Sequence, residues 1–215
     1  MILKRPRRYE LEITFSKLAE NAPYPNEKWN SMHMNQLSLE PIPIDLQPNQ
    51  YIKTTYAKKK YGLVTEVKFC PASCKDNLYF YLEWYDSKVP NTEFQDMAAV
   101  YFPLGPGNEE AINLGTRKEP VLLLQWRHRT EMSKNLSNIV QFISYGPGVF
   151  IKEDADPALR AEAELADGKW KLVISIGRKQ LPESFSKLGV VVWDGSNQER
   201  AGLAAATKEW IVLKG

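Results

Sequence analysis

A chain of 215 residues that is 43% hydrophobic and 11% aromatic can bury the core of one large domain with extensions, which excludes general disorder. Its 28 basic and 26 acidic residues leave a formal charge of +2, which argues against nucleic acid as the main partner. No apolar run is long enough to cross a bilayer, so membrane insertion is not expected.

Lys4, Arg5, Arg7 and Arg8 make the N-terminus basic. Solvated charge is the plain reading; docking on an acidic partner surface, through Arg5, Arg7 and Arg8, is the functional one. Glu10, Glu12 and Lys17 interrupt residues 1–25 where a signal peptide would need an apolar stretch. The expectation is a soluble protein of the cytoplasm or another intracellular compartment, unless a partner carries it out. Residues 1–60 are irregular and rich in proline (Pro6, Pro23, Pro25, Pro41, Pro43, Pro48). They read as an arm packed on a domain of residues 61–215. Within the arm, Tyr9 to Phe15 alternates enough for one strand, and Trp29 to Leu39 reads as extended. Met32-His33-Met34 has the atoms for a metal or haem contact, but a histidine flanked by thioethers is more often packing or surface.

Leu63, Thr65, Val67 and Phe69 alternate with Val64, Glu66 and Lys68, as in a half-buried strand. Cys70 and Cys74 follow, separated by Pro71-Ala72-Ser73. They lack the histidine of a haem-attachment motif, and only His33 and His128 remain to complete a zinc site. A local disulfide is open, and free thiols in a loop are the default. From Asn77 to Pro103, Leu78, Phe80, Leu82 and Trp84 alternate with Tyr79, Tyr81 and Glu83. Turn residues intervene, and a second apolar run, Ala98 to Phe102, ends at Pro103. This pair of strands belongs at the centre of the core. The carboxylates Glu83 with Asp86, and Asp154 with Asp156, read as solvated turn charges.

Gly105 to Asn108 opens a loop that lacks the strand-to-helix context and lysine of a phosphate cradle. Val121 to Trp126 is a strand, Met132 to Phe142 a short helix or loop, and Tyr145 to Gly148 a turn. Asp167-Gly168 is the strongest hairpin signal in the chain. It favours Ala158 to Leu165 as the strand paired with the alternating segment from Trp170 to Ile176. Val190 to Trp193 and Trp210 to Leu213 complete the set. Many short strands without βα alternation predict an all-β, antiparallel sandwich with few short helices. Two histidines and no G-x-S-x-G motif leave little for a nucleophilic triad, so no enzyme activity is expected.

The motif order adds a family. Leu82-Glu83-Trp84-Tyr85-Asp86, Phe94-Gln95-Asp96, Ala98 to Pro103, Asn113-Leu114-Gly115, Gln125-Trp126, Asp167 to Trp170 and Trp193 to Arg200 stand in sequence over residues 60–213. This order resembles the haem-binding γ subunits of periplasmic-type molybdenum oxidoreductases, which include ethylbenzene dehydrogenase, selenate reductase and nitrite oxidoreductase. The resemblance implies a sandwich holding one b-type haem that relays electrons from an iron–sulfur subunit. It also implies a methionine ligand just before the glycine of the loop after the second central strand, and a lysine ligand after the Trp-Asp-Gly turn. Those positions hold Leu114 and Ala204 or Ala205, which cannot ligate iron. The expectation is therefore a haem-free relative without a cofactor, retained as an assembly or structural subunit of a complex of the nitrite oxidoreductase type. Its partners would be the catalytic and iron–sulfur subunits, with self-association or a filament as a further role. The alternative is a haem b relay with substitute ligands: Lys208 and Met97 first, then Met132 and His128. A lesser alternative is a carbohydrate- or ligand-binding sandwich, which would need exposed aromatic side chains.

Overall fold

The computed structural model describes residues 11–86, 88, 93–105, 110–129, 137–154, 156–181 and 185–214. Arg5, Arg7, Arg8 and Met132 lie outside the described residues. Among those described are fifteen strands and two short helices: β1 (Leu11–Thr14), β2 (Ser16–Lys17), α1 (Glu27–Asn30), β3 (Asn35–Ser38), β4 (Glu40–Pro41), α2 (Gln50–Tyr56), β5 (Glu66–Cys74), β6 (Asn77–Tyr85), β7 (Met97–Pro103), β8 (Val121–Arg127), β9 (Ile139–Ser144), β10 (Phe150–Lys152), β11 (Arg160–Ala166), β12 (Lys169–Gly177), β13 (Lys187–Trp193), β14 (Ala205–Ala206) and β15 (Ile211–Lys214).

They form two sheets. The first runs β1-β15-β13-β7-β8-β9-β10, with β14 added to β13 and β4 added to β14. The second runs β11-β12-β6-β5-β2, and β3 also pairs with β5. Most pairs are antiparallel, as expected. The exceptions are β1 with β15 and β2 with β5, which are parallel. Both involve strands from residues 11–60, which also supply β3 and β4 and so contribute to both sheets.

Period-two alternation sorts the central strands. Leu78, Phe80, Leu82 and Trp84 of β6 face Ala98, Val100 and Phe102 of β7 across the core between the sheets. Phe80 meets Phe102 at 5.6 Å, and Trp84 meets Trp126 at 6.1 Å between ring centroids. The opposite faces are buried too. Tyr79 and Tyr81 pack outward under residues 18–34, where Trp29 stacks on Tyr81 at 5.1 Å and donates its indole N–H to the Tyr24 carbonyl. A strand covered on both sides reads as a near-continuous apolar run, which explains the sequence of β6 and β7.

Local chemistry fits the topology. Asp167 and Gly168 take left-handed conformations, φ 52° and 70°, as a two-residue hairpin between β11 and β12 requires. Pro71 lies inside β5, but β3 pairs with β5 only up to Phe69 and β2 only from Ala72. The missing proline N–H therefore falls where that edge has no ladder.

Several expectations change. Cys70 and Cys74 are free thiols, as read, but they sit buried in β5 rather than in a loop. Four strand steps separate their Cα atoms by roughly 13 Å, beyond disulfide reach. Leu63 to Thr65 precede β5 instead of starting it, and Ile139–Ser144 is a strand where a helix or loop was expected. Glu83 and Asp86 are not a solvated pair. Glu83 lies in β6 and pairs with Lys68 across the sheet at 2.9 Å, and Asp86 is buried.

Candidate functional site

Two loops meet on the outer face of the first sheet, and both assigned axial positions are in them. A 3-10 turn, Ala111–Asn113, ends at Leu114, which adopts φ 47°, ψ 36°. That left-handed conformation costs a non-glycine residue roughly 1–2 kcal/mol, so the surroundings must hold it. The Ser144 hydroxyl donates to the Leu114 carbonyl at 2.6 Å, and the Tyr101 hydroxyl donates to the Ala111 carbonyl at 3.0 Å. Gly115 follows at φ 87°, where a Cβ would lie 2.7 Å from the Ser144 carbonyl oxygen. Only glycine fits there.

The second loop comes from β13 and β14. The Ile42 N–H donates to the Ala204 carbonyl at 2.9 Å, and the Ile112 N–H donates to the Lys208 carbonyl at 3.3 Å. Thr207 ties the loop to the sheet through the Val190 N–H at 3.1 Å. Leu114 and Ala204 are each 0% exposed. They share one packed cluster with Ile42, Tyr101, Phe142, Trp193 and Trp210. Tyr101 and Trp210 meet edge to face at 5.5 Å, and burial pushes the Tyr101 hydroxyl pKa up.

The residues at these positions do not fit a haem. Leucine and alanine carry no donor atom for iron, and aromatic and aliphatic side chains fill the cluster around them. Open depressions of about 310 and 400 Å³ lie against His128 and Arg129, and neither is lined by Leu114 or Ala204.

The substitute ligands stand on different elements. Met97 in β7 is opposite Trp193, while Thr207, just before Lys208, bonds to Val190, three positions along β13. The Lys208 side chain is 57% exposed and pairs with Glu40 at 3.3 Å. His128 packs against Trp170 at 5.0 Å, and burial lowers its pKa. His33 is exposed, whereas Met32 and Met34 pack on the cluster beside Trp29. Trp84, Trp126, Trp170 and Trp193 are buried, so none offers an open sugar platform.

One constellation escaped the sequence reading. Asp86 at the end of β6, Asp96 just before β7 and Asp194 just after β13 bring carboxylate oxygens within 4.8 Å of one another. Burial, then the charge of Asp86, pushes the Asp96 pKa up to about 6, although the Gly195 N–H opposes the rise. Beside them, Glu199 accepts from the N–H groups of Gly62 at 2.7 Å and Asp194 at 3.1 Å. Burial raises its pKa as well.

No protein-family model matches the chain. It is similar to a Haloferax mediterranei protein named as a respiratory nitrate reductase heme subunit. That likeness runs at 25% identity over 98% of this chain and 74% of the relative. It is also similar to the chlorate reductase subunit gamma of Ideonella dechloratans, at 29% identity over 64% of this chain and 59% of that protein. Both likenesses are to proteins named as subunits of reductases, one of nitrate and one of chlorate. Among solved structures, a family 9 carbohydrate-binding module from Caldicellulosiruptor kristjanssonii in complex with glucose has a TM-score of 0.46 at 12% identity, covering 95% of this chain and 96% of that one.

Proposed function

We propose that this chain is a non-catalytic, γ-subunit-like component of a molybdenum oxidoreductase complex, of the nitrite oxidoreductase type. Its haem site has given way to a packed apolar cluster, and it serves assembly or structure rather than electron relay. One observation carries the reading: Leu114 and Ala204 lie in the same closed cluster, on a chain similar over nearly its whole length to a heme subunit. The partners under this reading are the catalytic and iron–sulfur subunits. The basic residues Arg5, Arg7 and Arg8 are candidates for the contact, and self-association into larger assemblies is a further role.

Recovery of the tagged chain from its native source tests both halves. The catalytic and iron–sulfur subunits should come with it, and the chain separated from them should contain no haem. One haem per chain contradicts the haem-free half, and absence of both subunits contradicts the partner half. One relative is named as a heme subunit, which favours a second reading, a haem b relay, for which Lys208 and Met97 are the candidate ligands. A haem spectrum unchanged in both Lys208→Ala and Met97→Ala would remove those ligands.

A further inference from the structure

We infer that Asp86, Asp96 and Asp194 form a binding site for a divalent cation of calcium size, which fastens the ends of the two sheets together. The cluster joins three segments far apart in the chain: Asp86 leaves β6 of the second sheet, while Asp96 and Asp194 flank β7 and β13 of the first. Each carboxylate uses its Oδ1 locally. Asp86 accepts from the Lys88 N–H at 3.1 Å, Asp96 from the Gly195 N–H at 2.8 Å and Asp194 from the Asn197 N–H at 3.0 Å.

A second observation points to a ligand. Asp96 is 1% exposed, and its Oδ2 is buried without a hydrogen bond of good geometry. A buried, unpaired carboxylate oxygen is costly, and here two further carboxylates face it. The neighbouring cation is Lys88, near Asp86. The Trp170 indole N–H lies beside the Asp86 and Asp96 carboxylates and favours their charged forms, but it makes no hydrogen bond of good geometry and adds no positive charge.

The donor set and its setting favour the larger ion. Carboxylate oxygens within 4.8 Å of one another can share one cation, and calcium accepts an irregular set of oxygen ligands, whereas magnesium demands near-ideal octahedral geometry. All-oxygen, anionic donors suit a hard cation. Asp86 and Asp194 keep 8% and 9% exposure, which leaves a path from solvent and room for water to complete the coordination.

The test uses the full chain after chelator treatment. Calcium chloride titrated into the millimolar range should raise the thermal midpoint progressively, with one ion bound per chain by calorimetry. Magnesium should shift it less. Terbium should give indole-sensitised emission that calcium displaces and Trp170→Phe reduces. Asp96→Asn keeps the Oδ1 acceptor for Gly195 while removing the charge. It should be at least as stable as the wild type without calcium, and its midpoint should no longer respond to calcium. The inference is overturned if the wild-type midpoint ignores calcium and no binding heat appears. It is equally overturned if Asp96→Asn responds as the wild type does.

Discussion

Leu114 combines a strained backbone with a buried apolar side chain. Its left-handed conformation, the hydrogen bond from Ser144 and the glycine after it build a loop that could present a ligand. The side chain instead completes an apolar cluster. Leu114→Met conserves volume and should cost less than about 1.5 kcal/mol. Ala204→Lys would place an ammonium among Tyr101, Trp193 and Trp210 with nothing to pair it, at a cost of about 3–5 kcal/mol. Urea melts of the two variants give the comparison. Equal stability would mean that Ala204 borders open space and that the cluster is not closed.

Single strands show both the reach and the limit of reading periodicity. β6 was legible because its own residues alternate, β7 because an apolar run ends at Pro103, and the Asp167-Gly168 hairpin because the turn needs two left-handed residues. β9 was missed because Ile139 and Val140 adjoin polar residues, and its pairing with β8 is fixed by partners rather than by its own pattern. Glu83 was read as a turn charge, yet it joins three strands through Lys68 of β5 at 2.9 Å and Lys169 of β12 at 3.9 Å. Burial raises its pKa, but hydrogen bonds from Lys68 and Tyr81 and the charges of Lys68 and Lys169 outweigh that, so the carboxyl stays below its ordinary value. A depressed folded pKa contributes stability above the unfolded pKa, near 4.3, and that contribution is lost as pH falls through the folded value. Glu83→Gln should therefore lower stability at pH 7 by about 0.2–1 kcal/mol and flatten the loss below pH about 4. Parallel acid melts of wild type and variant would contradict this.

At the scale of the whole molecule, distant segments make the site. Ile42, Leu114 and Ala204 share a cluster, and Asp86, Asp96 and Asp194 share another site. No local pattern encodes either meeting. The expected axial positions rest on the order of motifs, not on periodicity, whereas the aspartates stand in separate segments and only Asp86 reads, from sequence, as a solvated turn charge. The proline-rich start was legible as irregular, but not its strands on both sheets, because β1 to β4 are short and take their partners from far along the chain. A chain starting at Tyr61 would lose Trp29, Leu37 and Ile42, all buried, and should fail to give a cooperative melt. A melt matching that of the full chain would contradict this view of residues 11–60. The central claim is that the haem site is closed, and the absorption spectrum of the purified full chain, incubated with haemin and desalted, tests it most directly. The account predicts no stoichiometric Soret band; a band equivalent to one haem per chain, abolished by Lys208→Ala or Met97→Ala, would contradict it.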